Sequence, residues 1–297
     1  MTTQRIGIIG TGRMGTAMAT RLVGEGYAVM VWNRSRDAMA KAVDAGASAA
    51  GSLGDLVSGS DILISSLTDH AALRSLLEGD GGLSSADLSG LLWIEMSTLL
   101  PDQQRTIAAT VEKAGALYLE CPVGGTVGPA LKGALLGMAG GSEEAWQRGR
   151  PVLEALCKRV ERLGPVGAGS AMKLAVNLPL AAYWAVMGEA LALLDGSGVT
   201  PEMAADVMSD SSAGPAVLKN RLDVVKATLA GQDQPGTFDL NGLRKDLALA
   251  LEWAGRGNAA MPMSESALRT YDEAIGDGLG AMDGASLTRF LLARREA

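Results

Sequence analysis

The sequence predicts an α/β protein, a doubly wound parallel sheet in the N-terminal half followed by an all-helical C-terminal domain. Three observations carry this. Short apolar runs alternate with helix-period segments through the first half, the pattern of strands joined by crossover helices. A glycine-rich turn, Gly10-Thr11-Gly12-Arg13-Met14-Gly15, stands between the first apolar run and the first helical one. After Gly164 the strand-like runs stop, and the rest of the chain reads as helices punctuated by Gly, Pro and Ser.

Taken in order, the predicted strands are Arg5–Ile9, Ala28–Trp32, 61–67, 91–95, Leu117–Glu120, 135–139 and 159–163. Between them, 14–25, 36–45, 101–114 and Glu143–Leu156 carry apolar residues at three- and four-residue spacing, as helices do. Residues 79–85 read as a turn-rich connection. Thr200-Pro201-Glu202 is a helix start, with an N-cap hydroxyl, a proline in the first turn and an acid near the positive end. From 171 to 194 the only charges are Lys173 and Glu189, and the stretch between them holds one strongly polar side chain, Asn177. That segment reads as a central helix kinked at Pro179 and too short and interrupted to span a membrane.

Composition narrows the functional classes. The 297 residues are 47% hydrophobic, enough for a large core and two domains, placed at 1–164 and 165–297. With 33 acidic against 26 basic residues the net charge is −7, which disfavours nucleic-acid binding. Cys121 and Cys157 form no metal-ligand pair, no leader-like segment opens the chain, and the expectation is a reduced, cytoplasmic protein without a metal. No Gly-Lys dipeptide occurs, so a P-loop is absent, and His70 is the lone histidine, more a surface or capping residue than a catalyst.

The chemistry concentrates in a few places. In the Gly10 to Gly15 motif the first glycine permits a tight turn, the second lets backbone approach a pyrophosphate, and the third lets helix pack on strand. This makes the first domain Rossmann-type. Just past the second strand, Asn33 stands where an acid would receive the ribose hydroxyls of NAD. Arg34 and Arg36 can meet a 2′-phosphate there, with Asn33 and Ser35 adding neutral hydrogen bonds, so NADP is preferred and NAD remains possible. Ser65, Ser66, Leu67 and Thr68 end one strand as cofactor-edge contacts, and Ser97 and Thr98 end the next, where their hydroxyls could touch nicotinamide or substrate.

Val123, Gly124, Gly125 and Thr126 follow a strand and expose backbone N–H groups that can hold a carboxylate, or simply turn the chain. Lys173 and Asn177, four apart, share a helix face. A lysine entering an apolar helix is partly desolvated, which lowers its pKa and suits it to proton donation, although a snorkelling lysine fits the same position. Lys245 points away from the stripe of Leu243, Leu247, Ala250, Leu251 and Ala254, as solvated lysines do.

Five motifs in order then define a resemblance: IIGTGRMGTAMATRL, Met96-Ser97-Thr98, Pro122-Val123-Gly124-Gly125, GAGSAMKLAVN and Lys245-Asp246-Leu247. Over nearly its whole length the chain resembles the β-hydroxyacid dehydrogenase family, 3-hydroxyisobutyrate dehydrogenase-like and related to glyoxylate/succinic semialdehyde reductases. The resemblance implies that Lys173 is the catalytic acid/base and that Asn177 orients a small carboxylate substrate, with Thr98 and Lys245 at the nicotinamide end. It also implies a helical second domain supporting a homodimer or homotetramer. Two departures bear on substrate: Gly124 stands where the family has serine and Thr126 where it has glycine, and Val176 replaces a second asparagine. Val-Trp-Asn-Arg-Ser is also similar to the cofactor strand of NADPH-dependent imine reductases, a rival reading that Lys173 opposes. A non-catalytic NADPH sensor is the third reading.

Overall fold

The computed structural model describes residues 4–79 and 82–294. The chain divides into two compact units, Met1–Lys173 and Leu174–Ala297. The first unit runs β1 (Arg5–Ile9), α1 (Arg13–Gly24), β2 (Ala28–Trp32), α2 (Ala40–Asp44), β3 (Ser48–Ala49), α3 (Leu53–Ser58), β4 (Ile62–Ser65), α4 (His70–Glu78), β5 (Leu92–Glu95), α5 (Pro101–Lys113), β6 (Leu117–Glu120), β7 (Val123–Gly124), α6 (Val127–Leu131), β8 (Leu135–Gly141), α7 (Glu143–Leu156), β9 (Cys157–Gly164) and the start of α8 (Ala168–Ala192). Of the turn-rich connection 79–85, residues 80 and 81 lie outside the described residues, and Leu83–Ser85 form a 3-10 turn.

Among the described residues the sheet has order β3-β2-β1-β4-β5-β6-β8-β7, with β9 also pairing with β8. Pairing is parallel from β3 to β6, but β8 lies antiparallel to β6 and to β7. The expected parallel sheet thus runs from β3 to β6, with antiparallel pairing added at this edge. The reason is the crossover: α6 has five residues, too few to carry the chain back to the start of a parallel neighbour. Two further differences have local causes. The helix expected over 36–45 is a 3-10 turn, Arg36–Met39, followed by the short α2. The strands β3 and β7 have two residues each, too short to show any periodicity.

Side chains alternate across the sheet as the pleat requires. Ile6, Ile8, Ile62, Ile64, Leu92, Ile94 and Leu119 enter one core, while Ile9, Leu63, Trp93 and Tyr118 enter the other. Both faces are thus covered, as a doubly wound sheet needs. The register sets Ile9 beside Ser65, Ser65 beside Glu95, and Glu95 beside Glu120. This row lies at the carboxyl ends of the parallel strands, where the loops that carry ligand contacts emerge.

The second unit comprises the rest of α8 with α9 (Pro201–Asp210), α10 (Ala216–Asn220), α11 (Leu222–Leu229), α12 (Leu240–Arg256), α13 (Pro262–Ala274) and α14 (Ala285–Ala293). Thr200 caps α9 as expected, its hydroxyl accepting from Met203 N at 3.2 Å. Helix α8 is 25 residues long and runs through Pro179 without a break, so it is long and apolar enough to span a bilayer. Its length therefore does not keep it out of a bilayer. What holds this helix in a protein interior is packing: Ala181, Trp184, Ala185, Met187 and Leu191 belong to the core of the helical unit. Tyr271, fully buried, donates its hydroxyl to Ala181 O at 3.0 Å, and Thr288 Oγ1 donates to Trp184 O at 3.1 Å. Tyr271→Phe removes one such bond without changing the packing, and urea denaturation should read a loss of about 1 kcal/mol.

Candidate active site

The glycine turn is built for close approach. Gly10 has φ +93°, a left-handed conformation, and a Cβ there would lie 2.5 Å from Ser66 O. A Cβ on Gly15 would overlap Gly10 O, so the third glycine lets α1 press against the turn. Gly12 is different. It caps α1, and a Cβ on it would have no protein atom within 4 Å. Thr11 is 5% exposed, and its hydroxyl has no hydrogen-bond partner among the described residues. An open glycine, a buried hydroxyl awaiting a partner and the N–H groups of a helix start fit a dinucleotide phosphate.

Asn33 braces this turn. Its Oδ1 accepts from Thr11 N at 3.1 Å, and its Nδ2 donates to Ser35 O at 3.0 Å. Arg34, Ser35 and Arg36 are exposed, and among the described residues neither arginine has an ion-pair partner. Arg13 is exposed and Met14 half-buried at the start of α1.

The strand-end row contributes two buried acids that sequence reasoning did not single out. Glu95 is fully buried; the Ser65 hydroxyl donates to its Oε2, and Ser97 N donates to its Oε1 at 2.6 Å. Trp93 Nε1 donates to Ser65 Oγ at 2.6 Å, and Leu67 N donates to Ser97 Oγ at 2.8 Å. The network thereby joins Leu67 to Ser97, two of the expected site residues, and Ser66 stays beside Gly10 through Ser66 N to Ile9 O at 3.0 Å. Burial pushes the Glu95 carboxyl up to about 7, against the bonds from Ser65 and Ser97, with the neighbouring Glu120 adding to the rise. Glu120, also buried, is raised by desolvation, and its oxygens accept from Gly167 N at 2.6 Å, Gly169 N at 2.9 Å and Ser170 Oγ at 2.7 Å.

Val123 and Gly124 form β7, Gly125 turns with φ +118°, and Thr126 opens α6 without a side-chain cap bond. A Cβ at Gly124 would meet Leu136 at 3.6 Å, an ordinary contact. Thr98 is half-buried beyond β5. His70 begins α4, but the cap is Asp69, whose Oδ1 accepts from Ala72 N at 2.8 Å; burial is the main cause that lowers the imidazole pKa.

On α8, Lys173 is 8% exposed and Asn177 4%. Asn177 Nδ2 donates to Asp246 Oδ2 at 2.6 Å, and Lys245 Nζ pairs with Asp246 Oδ1 at 2.9 Å. Asp246, 4% exposed, is therefore the hub that brings Asn177 and Lys245 together. Lys245 is half-buried and paired rather than a freely solvated face residue. Asp246 was visible in the sequence only as part of Lys245-Asp246-Leu247, yet it sits three after Leu243 and four before Ala250, on the core stripe.

The chain matches known proteins over nearly its whole length. The family model described as the NAD binding domain of 6-phosphogluconate dehydrogenase matches residues 5–164, and that described as NAD-binding of NADP-dependent 3-hydroxyisobutyrate dehydrogenase matches 167–291. An NAD-dependent L-serine dehydrogenase of Pseudomonas aeruginosa is 34% identical, covering 94% of this chain and 95% of the relative. A Mycobacterium tuberculosis 3-hydroxyisobutyrate dehydrogenase structure with L-serine superposes with TM-score 0.86 at 27% identity, covering 98% of this chain and 100% of that one. An imine reductase from Pseudomonas sp. shares the fold at TM-score 0.65 and 22% identity, covering 96% of this chain and 98% of that one. The family models and the named relatives, over this fold and its glycine turn, define a nicotinamide-dinucleotide oxidoreductase that acts on CH–OH groups. The chain belongs to the β-hydroxyacid dehydrogenase family.

Glu95 also sets a pH dependence. The folded carboxyl titrates near 7 against 4.5 for the ordinary value, so the folded state keeps a proton that the unfolded chain releases. The stabilisation from that proton is complete below 4.5 and lost as pH rises through 7. Chemical denaturation of wild type and Glu95→Gln across this range should show wild type losing on the order of 3 kcal/mol relative to the variant. A constant difference would remove the assignment.

Proposed function

We propose that the protein is an NADP(H)-dependent oxidoreductase interconverting a small hydroxy acid and its semialdehyde or keto form, with Lys173 as acid/base. Residues 1–164 hold the cofactor, and 165–297 serve substrate and subunit association. The observation that carries the reading is a buried lysine, Lys173, one helical turn before an asparagine that Asp246 orients.

A bound nicotinamide supplies or accepts the hydride. The chain's residues do the rest. The N–H groups at the start of α1, with Gly10, Gly12, Gly15 and Thr11, hold the pyrophosphate. Arg34 and Arg36 hold the 2′-phosphate, with Ser35 beside them, and Asn33 keeps the turn in place. Ser66, Leu67 and Thr98 would border the nicotinamide end. The 123–126 loop and Ser97 receive the substrate carboxylate. Lys173 Nζ donates a hydrogen bond and then a proton to the oxygen that becomes the alcohol, and takes that proton in the reverse direction.

Substrate class follows from the relatives. Serine and 3-hydroxyisobutyrate share a carboxylate and a hydroxyl on the third carbon and differ only at the second, so a short 3-hydroxy acid is the first class to try. The L-serine relative is NAD-dependent by name, and the two exposed arginines after β2 are the reason to assign NADP here.

Lys173→Ala should cut kcat by ~100-fold or more on the best substrate in a panel of 3-hydroxy acids, semialdehydes and glyoxylate. Wild-type turnover by that variant, or faster formation of an amine from an imine than of any alcohol, would end the lysine reading. Steady-state kinetics of Arg34→Ala/Arg36→Ala should raise KM for NADP ~10- to 100-fold and leave KM for NAD within about twofold, the charge-assisted bonds being worth ~1.5–3 kcal/mol each. Equal losses for both cofactors would remove the NADP assignment.

A further inference from the structure

We propose that Glu120 is a positioning residue for Lys173, resting on the reading of Lys173 as acid/base. Glu120 ends β6, fully buried, and no cation pairs with it among the described residues. Its donors, Gly167 N, Gly169 N and both the hydroxyl and the backbone N–H of Ser170, come from residues 167–170, where α8 begins. A buried carboxylate is costly unless its oxygens are satisfied, so the fold gains by keeping that helix start where these bonds can form.

The clamp has a second jaw. Glu120 pairs with Gly140 on β8, where a Cβ would overlap Glu120 Oε1, and a Cβ on Gly169 would overlap Met138 O. The first turn of α8 is thus pressed onto β8 backbone on one side and tied by the carboxylate on the other. Lys173 lies four residues after Gly169 and three after Ser170, within the next turn on the same side. A helix is stiff over one turn, so a slip at Gly169 carries Lys173 with it. The same strand end runs through Pro122 into the 123–126 loop. Glu120 therefore fixes where the lysine stands relative to that loop, and it needs no contact with substrate to do so.

The test uses the full-length protein as wild type, Glu120→Ala, Glu120→Gln, Lys173→Ala and the double variant Glu120→Ala/Lys173→Ala. NADPH binding is followed by fluorescence, kcat on L-serine and glyoxylate with both cofactors, and hydrogen exchange over 165–178. Glu120→Ala should exchange faster over that segment and lose ~100-fold in kcat, the scale of a misplacement of about 1 Å, with NADPH affinity within twofold of wild type. Glu120→Gln keeps an acceptor oxygen for the Gly167 and Gly169 N–H groups and should recover to within ~10-fold of wild type.

The double variant should be no slower than Lys173→Ala, because both changes act through one group. A Glu120→Ala kcat within threefold of wild type overturns the proposal. So does a double variant slowed multiplicatively, or a Gln variant as slow as Ala, either of which means a merely structural role. If Glu120→Ala does not fold, Glu120→Gln and Ser170→Ala take its place in the same cycle with Lys173→Ala, with the same criteria. Full activity in Lys173→Ala would defeat the lysine reading itself, whereas an inactive Lys173→Ala beside a fully active Glu120→Ala would defeat the positioning role alone. Should neither probe turn over, unchanged exchange over 165–178 in Glu120→Ala defeats the clamp and faster exchange supports it.

Discussion

A carboxyl group at the end of a buried strand must find donors or keep its proton, and the N-terminal unit is arranged around that requirement. The register sets Ser65, Glu95 and Glu120 in one row across β4, β5 and β6, on the face that Leu63, Trp93 and Tyr118 fill one step deeper. Apolar packing thus turns polar at the level where the loops depart. Each acid joins its strand to a different chain segment, Glu95 to residues 65 and 97 and Glu120 to 167–170. Hydrogen bonds to a charged acceptor are worth ~1.5–3 kcal/mol, and an unsatisfied buried charge costs more than any one of them. The loops are held because moving them would strand an acid.

The helical unit solves a similar problem with side chains instead of backbone. Asp246 is divided between an amide, Asn177, and an ammonium, Lys245. The bond from Asn177 fixes which way the amide faces, leaving its carbonyl oxygen directed elsewhere. Pairing with Lys245 places that ammonium beside the carboxylate and partly out of water. One buried acid therefore determines the orientation of two groups that the family motif names separately.

Much of this was legible in the sequence, for physical reasons. β1, β2, β6 and α7 run as the apolar pattern gives them, because strands buried on both faces and a capped amphipathic helix leave strong signals. The Gly10 turn was legible because only glycine meets its φ and its contacts. The hubs were harder. An acid closing a strand looks like the solvated end of that strand, and only the pairing of β5 with β6 and of β6 with β8 reveals that Glu95 and Glu120 have no route to water. Asn33 is expected as a ligand contact from its position after Gly10, and the structure adds a role that spacing does not show, an amide that braces the turn through Thr11 N and Ser35 O. The antiparallel β8 depends on the brevity of α6, which no periodicity announces.

The departures in the 123–126 loop separate what folding demands from what a ligand selects. Gly125 is fixed by the fold: its φ is +118°, and a Cβ would come within 2.9 Å of Leu135 Cδ2. Gly124 carries no such demand, since its conformation is not left-handed and a Cβ would meet only Leu136, at 3.6 Å or more. A serine would sit there without strain. Thr126 likewise makes no cap bond that would require its hydroxyl. Packing therefore leaves the residue type at 124 open, and capping does not fix that at 126, while the turn at 125 is held, so a change of side chain at 124 leaves undisturbed the backbone that presents it.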